Sequence, residues 1–308
     1  MKKITLTIGI PVHNEAANIK FLLTSILHQK NVRYSLEEII VMCDGTTDET
    51  DKIAKQFSMK NEKIKVIVDG QQKGKLKRLM ELYKMNKSQL IAIFDGDVVL
   101  GTPKVLDNMV SKFINKKTAI IGANNQPIPT KTFVGKLINT WSDVWYHVRK
   151  IYKNGDNVHS IRGCCMMLER EFAKCITFPK GLISESQFIF FLGKKMKRHF
   201  IFAEAAIVYY IKPTTLSDYF SQKNRVSPND LKLEQIFGTW VLDLYKIPAS
   251  YKIKALLYKL AHDPLFTLLS GIFIYSSMLI PSHQKYTDKK GVWKRVGSTK
   301  KAIDMIIF

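Results

Sequence analysis

The sequence predicts an α/β fold built around a doubly wound, Rossmann-like mixed sheet. Two observations lead to this prediction. Segments with strand-like and helix-like apolar patterns alternate from residue 4 to residue 97, and a polar group follows each strand-like segment. Because a helix between two strands returns the chain to the same end of the sheet, this alternation favours parallel pairing in the first half. We therefore expect the carboxyl ends of these strands to form a ligand crevice.

Apolar spacing predicts the individual elements of this first half. Alternating or continuous apolar runs predict strands at residues 4–10, 38–43, 64–68 and 90–94. The first helix has apolar residues three and four positions apart, namely Ile19, Leu22, Leu23, Ile26 and Leu27. A capping-box pattern formed by Thr46 and Glu49 predicts the start of the second helix. In the third helix, the predicted inward residues are Leu76, Leu79, Met80 and Tyr83.

The fourth predicted strand ends in Asp95-Gly96-Asp97. Residues two apart on a strand point the same way, and the intervening glycine leaves room for a ligand near the backbone. Paired carboxylates at a strand end suit a hard divalent cation that carries phosphates. Asp-Gly is also a common turn pair, so this motif alone favours the turn and the metal site about equally.

Polar groups at the other strand ends favour the binding site. His13 to Glu15 follow the first strand, Asp44 follows the second, and Lys73 and Lys75 follow the third. A general need for polar turns does not explain why acids and lysines fill these particular turns. Lysines would suit a diphosphate, whereas acids would suit a ribose, a base or a metal.

The chain is strongly basic. It has 308 residues and a formal net charge of +22, which suggests nucleic acid, acidic lipid or a phosphorylated substrate as partner. Its four cysteines show no Cys-x-x-Cys pairing, and we expect them to be reduced in the cytosol. The first residues lack the apolar core of a signal peptide. We expect no nucleic acid partner, because basic and aromatic residues do not cluster in a recognised module, but a basic nucleic-acid-binding protein is kept as an alternative.

Four motifs resemble, in order and spacing, those of family 2 glycosyltransferases of the GT-A fold. They are Pro11-Val12-His13-Asn14-Glu15, Cys43-Asp44-Gly45-Thr46-Thr47-Asp48-Glu49-Thr50, Lys73-Gly74-Lys75 and Asp95-Gly96-Asp97. The resemblance runs from residue 4 to about residue 226. It implies transfer of a sugar, with inversion, from a UDP- or GDP-sugar donor, and it implies Mn²⁺ or Mg²⁺ as cofactor.

The resemblance also assigns roles to individual residues of the donor half. Asp44 resembles the acid that contacts the base of the nucleotide. Asp97 is expected to hold the metal, and Asp95 is expected to share it or to contact the ribose. The other residues with expected donor contacts are Pro11, His13 and Glu15 around the nucleoside, and Gly74 and Lys75 near the diphosphate.

The expected general base lies in the segment Gly181-Leu182-Ile183-Ser184-Glu185-Ser186-Gln187-Phe188. The family usually has an acidic pair here, and the second acid usually serves as the base. In this chain Ser186 occupies the second position, and a serine cannot do that work unaided. The resemblance therefore points to Glu185 as the catalytic base. The alternative for Glu185 is a first-turn residue that favours the helix dipole, and for the protein a degenerate fold retained for binding.

A sugar nucleotidyltransferase is a competing interpretation of the same fold. Those enzymes place a glycine-rich, arginine-containing loop after the first strand, where it cradles a nucleoside triphosphate. Here that loop is Pro11-Val12-His13-Asn14-Glu15, which contains no glycine. The transferase interpretation is therefore preferred.

The second half is expected to bind the acceptor. Its predicted helices are residues 104–113 and 133–152, and its predicted strands are residues 119–122, 160–167, 199–203 and 206–211. Gly163 stands at the glycine of the family's strand under the acceptor site. Trp141, Trp145 and Arg149 share one helix face, which is either core or a surface facing acceptor or membrane. Gln222 and Arg225 match the family's Gln-x-x-Arg-Trp element, with Val226 in place of its tryptophan, and are expected to contact the acceptor or the diphosphate.

The tail is expected to associate with a membrane. Residues 265–280 are largely apolar, lie between two prolines and have basic residues on both sides. As a helix this stretch measures about 24 Å, less than the hydrocarbon core of about 30 Å. We therefore expect a re-entrant, in-plane or peripheral anchor at about 264–281 on an anionic membrane surface, and a buried globular helix is the alternative. A lipid, lipid-linked or glycan acceptor would fit such a location.

The sequence predicts a catalytic domain in two halves and a C-terminal region. Residues 1–226 form the GT-A catalytic domain, with a nucleotide-sugar-binding half at 1–100 and an acceptor half at 101–226. Residues 227–308 form a helical, membrane-associating region. The expected location is the cytoplasmic face of a membrane.

Overall fold

The structure is a computed structural model that describes residues 3–182, 185–226, 229–280 and residue 303, with the backbone alone for residues 224–226 and 229–231. Within this part of the chain, eight strands form one sheet in the order β3-β2-β1-β4-β7-β6-β8-β5. The strands are β1 Ile4–Val12, β2 Tyr34–Cys43, β3 Ile64–Val68, β4 Leu90–Phe94, β5 Val98–Leu100, β6 Thr118–Pro127, β7 Cys165–Glu169 and β8 His199–Tyr210.

Twelve α-helices accompany these strands in the described residues. Those up to the seventh are α1 Ile19–Leu27, α2 Thr50–Ser58, α3 Lys75–Met85, α4 Val105–Val110, α5 Phe133–Ile151, α6 Arg170–Lys174 and α7 Glu185–Lys195. The others are α8 Leu216–Val226, α9 Asn229–Phe237, α10 Trp240–Tyr245, α11 Ala249–His262 and α12 Pro264–Leu279.

The parallel half of the sheet is the half that apolar spacing predicted. Strand β1 pairs in parallel with β2 and β4, and β2 pairs in parallel with β3. All five residues of β4 are buried, as expected for a central strand with helices on both faces. Pro11, which the sequence suggested would lie in the loop after the first strand, is instead buried within β1 opposite Met42 of β2.

The rest of the sheet is antiparallel where its pairing is described. Strand β7 pairs with β4 and β6 in the antiparallel sense, and β5 pairs likewise with β8. The sheet is therefore mixed, as predicted. Strand β5 was missed because its three residues are too few to show a period.

Some predicted boundaries are wrong. The strand predicted at residues 160–167 begins only at Cys165, after a turn that contains Gly163. Residues 199–210 form the single strand β8, and the apparent break is at Glu204 and Ala205, whose carbonyls accept hydrogen bonds from Asn124 (2.9 Å) and Asn108 (2.9 Å). Both residues are exposed, so the apolar pattern of the sequence is interrupted at them as it would be at a turn. Helix α2 does not begin with the Thr46–Glu49 capping box; Glu49 makes no side-chain cap.

The chain divides into two compact units by its contacts. The first contains residues up to Gln126, Ile161–Tyr210 and residue 303, and the second contains Pro127–Ser160 and the described residues from 211 to 280. Helix α5 thus belongs with the C-terminal helices, and Trp145 on it packs against Val148, Ile247 and Ala255. This contact favours the core interpretation of the tryptophan face. The functional division at residue 226 stays a prediction.

Candidate active site

The loops after β1 and β2 are bonded to each other. Nδ1 of His13 donates to the carbonyl oxygen of Asp44 (2.7 Å), and the Asp44 N–H donates to Val12 (2.8 Å). Asn14 has a positive φ of 56°, a conformation that asparagine tolerates, and its side chain accepts from the Thr47 N–H at 2.8 Å. Two of the loops predicted to surround the nucleoside therefore form one rigid edge.

The carboxylate of Asp44 organises the loop between β3 and α3. It accepts hydrogen bonds from the backbone N–H groups of Lys73 (2.7 Å) and Gly74 (3.0 Å) and from Nε of Arg78 (2.9 Å). Gly74 has a φ of 87°, which favours glycine over other residues. The buried charge is thus compensated by three donors. Asp44 positions the loop that carries Lys75, and its contact with a nucleotide base stays a prediction.

Arg78 is a buried site residue that the sequence did not reveal. Its side chain is 1% exposed and forms ion pairs with Asp44, Asp69 (2.6 Å) and Glu81 (2.9 Å). The Arg78 and Lys73 side chains hold the pKa of Asp69 well below its usual range. Apolar periodicity selects only apolar residues as inward, so it could not find an arginine buried by its ion pairs. On α3 the buried residues are Arg78, Leu79, Leu82 and Tyr83, whereas Leu76 and Met80 are half-buried.

Asp95, Gly96 and Asp97 lie between β4 and β5, in a turn. The turn and the carboxylate pair therefore coexist. A Cβ atom on Gly96 would lie 2.8 Å from Cγ of Glu15 and 2.8 Å from Cγ1 of Val12. Glycine is required here because the mostly buried Glu15 side chain packs against the backbone between the two aspartates.

Lys75 joins two of the predicted functional carboxylates. Its Nζ lies 2.6 Å from Oδ1 of Asp95 and 2.6 Å from Oε1 of Glu185. Burial opposes the ammonium charge, but the two carboxylates raise the pKa of Lys75, so it stays protonated. Lys75 begins α3, Asp95 follows β4 and Glu185 begins α7, so these three elements meet at one point. The Lys75 and Asp95 side chains are 35% and 27% exposed, which leaves the point open to a ligand.

Burial raises the pKa of two other groups near this point. The Tyr83 hydroxyl is buried, and the Glu185 carboxylate raises its pKa further. Burial is the main cause that raises the pKa of the Cys164 thiol to about 12, and the Asp95 charge makes a smaller contribution. Both groups stay protonated at neutral pH, so neither is a candidate nucleophile.

Gly163 makes room for Glu185. A Cβ atom on Gly163 would lie 2.1 Å from Oε1 of Glu185, closer than a carbon and an oxygen atom that are not bonded to each other can approach. The missing side chain in the turn before β7 therefore leaves the space that the first residue of α7 occupies. The glycine that the sequence placed under the acceptor site is in contact with the predicted base.

We expect Gly163→Ala to lower kcat by about 10²-fold, because displacement of a catalytic group by about 1 Å has an effect of this size. Donor affinity should change less than kcat, since Asp44, Asp95 and Asp97 remain in place. Steady-state kinetics would measure both. Gly101→Ala is the matched control, because its Cβ would meet a ring atom of Tyr209 at 2.6 Å, away from Glu185. Equal losses in the two variants would contradict a specific role for Gly163.

The side chains after β4 fit a divalent metal ion bound with a diphosphate. Among the residues that the structure describes, no three His, Cys, Asp or Glu side chains are arranged to hold a metal by themselves. Asp95 and Asp97 supply oxygen ligands, and Mg²⁺ commonly binds through one or two carboxylates plus substrate phosphates. Burial, Asp97 and Glu185 raise the pKa of Asp95 against the opposing effect of Lys75. Added positive charge would therefore stabilise the ionised carboxylates.

Gln222 and the backbone of Arg225 lie on α8, in the second unit. Ser277 of α12 contacts this helix, through the Tyr219 hydroxyl at 3.0 Å and through the Lys223 ammonium group. A separate cavity of about 370 Å³ lies in the second unit and is lined by Asn139, Asp143 and Phe266, among others. None of the predicted site residues lines it. Residues 183 and 184 of the predicted base segment lie outside the described residues.

The mixed sheet and the carboxylate–lysine cluster at the ends of its strands define an α/β protein with a candidate ligand site at one edge of the sheet. A family model described as "Glycosyl transferase family 2" matches residues 7–177, more than half of the chain. The chain therefore belongs to glycosyltransferase family 2, and the resemblance drawn from the four motifs is confirmed.

A curated relative matches over a shorter span. "Glycosyltransferase AglE" of Haloferax volcanii is 31% identical over 88 residues, which are 29% of this chain and 29% of that protein. The chain thus matches less than a third of that relative's length.

Three solved structures share the fold at low sequence identity. A mannosyltransferase from Pyrobaculum calidifontis, in complex with GDP-Man and Mn²⁺, has a TM-score of 0.61 at 15% identity, covering 91% of this chain and 77% of that one. S. aureus TarS 1-349 with UDP-GlcNAc has a TM-score of 0.52 at 16% identity, with coverage of 83% and 81%. Glucosyl-3-phosphoglycerate synthase from Mycobacterium tuberculosis, with Mn²⁺, UDP and phosphoglyceric acid, has a TM-score of 0.52 at 14% identity, with coverage of 75% and 78%. These likenesses establish the GT-A type of α/β fold.

Proposed function

We propose that this chain is an inverting glycosyltransferase that moves a sugar from a nucleotide-sugar donor to an acceptor hydroxyl. The observation that carries the proposal is the contact of Lys75 with both Asp95 and Glu185. This contact brings the Lys75 ammonium group, which suits a diphosphate, within reach of two carboxylates. We propose that Asp95 helps to bind the metal and that Glu185 acts as the base. The complexes of the structural relatives with GDP-Man, UDP-GlcNAc and UDP support a UDP- or GDP-sugar as donor.

The donor diphosphate would lie at the end of β4. Asp97, with Asp95, would hold Mn²⁺ or Mg²⁺, and the two relatives that contain Mn²⁺ support this choice. When bound, the metal would supply positive charge to the leaving diphosphate. Lys75 would turn toward the same phosphates, and the N-terminus of α3 would add its dipole. His13, Glu15, Asp44 and buried Pro11 would border the nucleoside.

Glu185 would accept the proton of the acceptor hydroxyl. Inversion requires a base on the face opposite the departing diphosphate. Glu185 is only 8% exposed, and its contact with Lys75 stabilises the ionised form that a base needs. Ser186, equally buried, offers a hydroxyl but no carboxylate at the next position.

The acceptor would be a lipid, a lipid-linked glycan or another glycan. Gln222 and Arg225 support this choice through their match to the Gln-x-x-Arg element of the family, and they would contact the acceptor or the diphosphate. The expected location is the cytoplasmic face of a membrane.

A screen of nucleotide sugars tests the donor proposal. Each would be assayed for hydrolysis and for thermal stabilisation of the protein, with and without Mn²⁺. A true donor at about 100 times its Kd should stabilise the fold by about 2.7 kcal/mol, and more with Mn²⁺ than without. The proposal fails if no nucleotide sugar acts while DNA binds with a steep salt dependence, which would favour the nucleic-acid alternative.

A further inference from the structure

Helix α12 exposes its large apolar side chains. Those between 58% and 70% exposed are Leu265, Leu268, Ile272, Tyr275, Met278 and Leu279. They recur at spacings that cover one side of a helix. In water such a side would normally be turned toward a protein core.

The buried side of α12 is made mostly of small polar residues. Thr267, Ser270 and Ser277 are buried there with Ile274. The hydroxyl of Ser270 donates to the carbonyl of Thr267 (2.9 Å), and that of Ser277 donates to Ile274 (2.7 Å). The polarity of α12 is thus inverted relative to a surface helix. Small residues at a helix contact with large apolar residues outward are typical of packing in lipid.

Helix α11 has the same inverted arrangement. Its buried residue is Ala255, and on the same face Tyr251 makes an edge-to-face contact with Tyr152, with ring centres 5.3 Å apart. The side chains of Ile253, Leu256 and Leu257 are exposed. The two consecutive helices, here called the α11–α12 pair (residues 249–279), therefore both present apolar side chains to the outside.

Basic residues border this apolar surface. Lys252 and Lys254 are exposed on α11, beside Ile253. Ammonium groups next to inserted apolar side chains are the arrangement that binds anionic lipid headgroups. We propose that the α11–α12 pair docks in the plane of an anionic bilayer, with its apolar side chains in the acyl boundary and its lysines at the phosphates.

Charge favours a bilayer over a second copy of the chain as the occupant. The net charge is +22. A two-fold contact through the α11–α12 pair would bring the same lysines of two highly basic chains together, which electrostatic repulsion disfavours. An anionic lipid surface complements the same lysines.

Helix α5 supports the in-plane orientation. Both α11 and α12 pack on it. Lys136 of α5 lies over the ring of Phe266 at 5.8 Å, and Asp143 of α5 pairs with Lys259 at 3.2 Å. Entry of the pair into the hydrocarbon would bury these charges, whereas docking along the surface leaves them hydrated.

The test is sedimentation of the full chain with vesicles of phosphatidylcholine and phosphatidylglycerol, without donor. Leu268→Gln/Ile272→Gln/Met278→Gln should reduce the bound fraction by more than about tenfold. The matched control, Val32→Gln/Met59→Gln/Ile114→Gln, removes as many exposed apolar residues elsewhere and should bind normally. Lys252→Gln/Lys254→Gln should weaken binding by about fivefold for each lysine, on anionic vesicles only. Circular dichroism and gel filtration would verify that each variant folds.

Two outcomes would overturn the proposal. One is equal sedimentation of the parent and the Leu268, Ile272, Met278 variant. The other is a parent protein that ignores vesicles but dimerises in light scattering, with the dimer lost in that variant, which would assign the surface to a second copy. Because no donor is present, neither outcome bears on the transferase proposal.

Spin labels would test the orientation. Exposed Cys175 would first be changed to serine. A cysteine that carries a nitroxide would then be introduced at one position at a time, namely 265, 268, 272 or 275. In-plane docking predicts similar depths in the bilayer for all four labels. A steady increase in depth along the helix would contradict it.

Discussion

Glu185→Gln is expected to lower the rate of sugar transfer by about 10²–10⁴-fold, the usual contribution of a general base. Glutamine keeps the size of the side chain but cannot accept the acceptor's proton at neutral pH. It also leaves Lys75 paired with Asp95 alone, so donor affinity should be maintained. Transfer kinetics and calorimetric titration with the donor would measure the two effects separately. Glu171→Gln is the matched control, because Glu171 is exposed on α6, and it should leave transfer unchanged.

Full transfer by Glu185→Gln would move the base to another carboxylate. The neighbouring position offers a further test, because the family usually carries its base there. If Glu185→Gln/Ser186→Asp recovers transfer that the single variant lacks, proton acceptance is possible from either position. Loss of donor affinity in Glu185→Gln would instead indicate that the carboxylate acts on the diphosphate site through Lys75.

Asp97→Ala should abolish metal-dependent turnover, with a loss of about 10³-fold or more, because the metal's stabilisation of the leaving diphosphate amounts to several kcal/mol. Asp95 alone would retain one carboxylate, and Lys75 already neutralises part of its charge. Turnover as a function of Mn²⁺ concentration and Mn²⁺ binding by electron paramagnetic resonance would measure the effect. Asp243→Ala removes a highly exposed aspartate on α10 and should have no effect.

Retained Mn²⁺ dependence in Asp97→Ala would contradict the metal assignment. Loss of turnover with normal Mn²⁺ binding would keep Asp97 in the site but give it another role, such as contact with the ribose. Asp97→Glu separates these cases further, since a longer carboxylate can still bind a metal but displaces the diphosphate.

Much of the donor half could be predicted because its signals are local. Apolar period and segment length identified β1 to β4 and their parallel pairing. Each strand end was marked by polar residues that follow it directly in the chain. The positions of His13, Asp44, Lys75 and Asp95 at one sheet edge followed from that topology alone. The turn and the metal site after β4 were competing interpretations in sequence; the structure shows the turn, and the metal site stays a prediction.

The contacts of these residues could not be predicted. Arg78 is buried by ion pairs, which leave no apolar signal, and the contact between Gly163 and Glu185 joins residues whose separation in the chain carries no period. The apparent break in β8 is compensated by hydrogen bonds from Asn108 and Asn124, which lie 97 and 80 residues earlier. Such pairings depend on how distant segments pack.

The sequence by itself determined the fold family, the edge of the sheet that carries the candidate donor site, and the apolar tail. The tertiary structure decided that Lys75 lies between Asp95 and Glu185, and that α12 turns Ser270 and Ser277 inward and Leu265, Leu268 and Leu279 outward. The physical reason is that periodicity shows only that a helix has an apolar side. Whether core, a partner or lipid covers that side depends on which face packs against α5, and this requires coordinates.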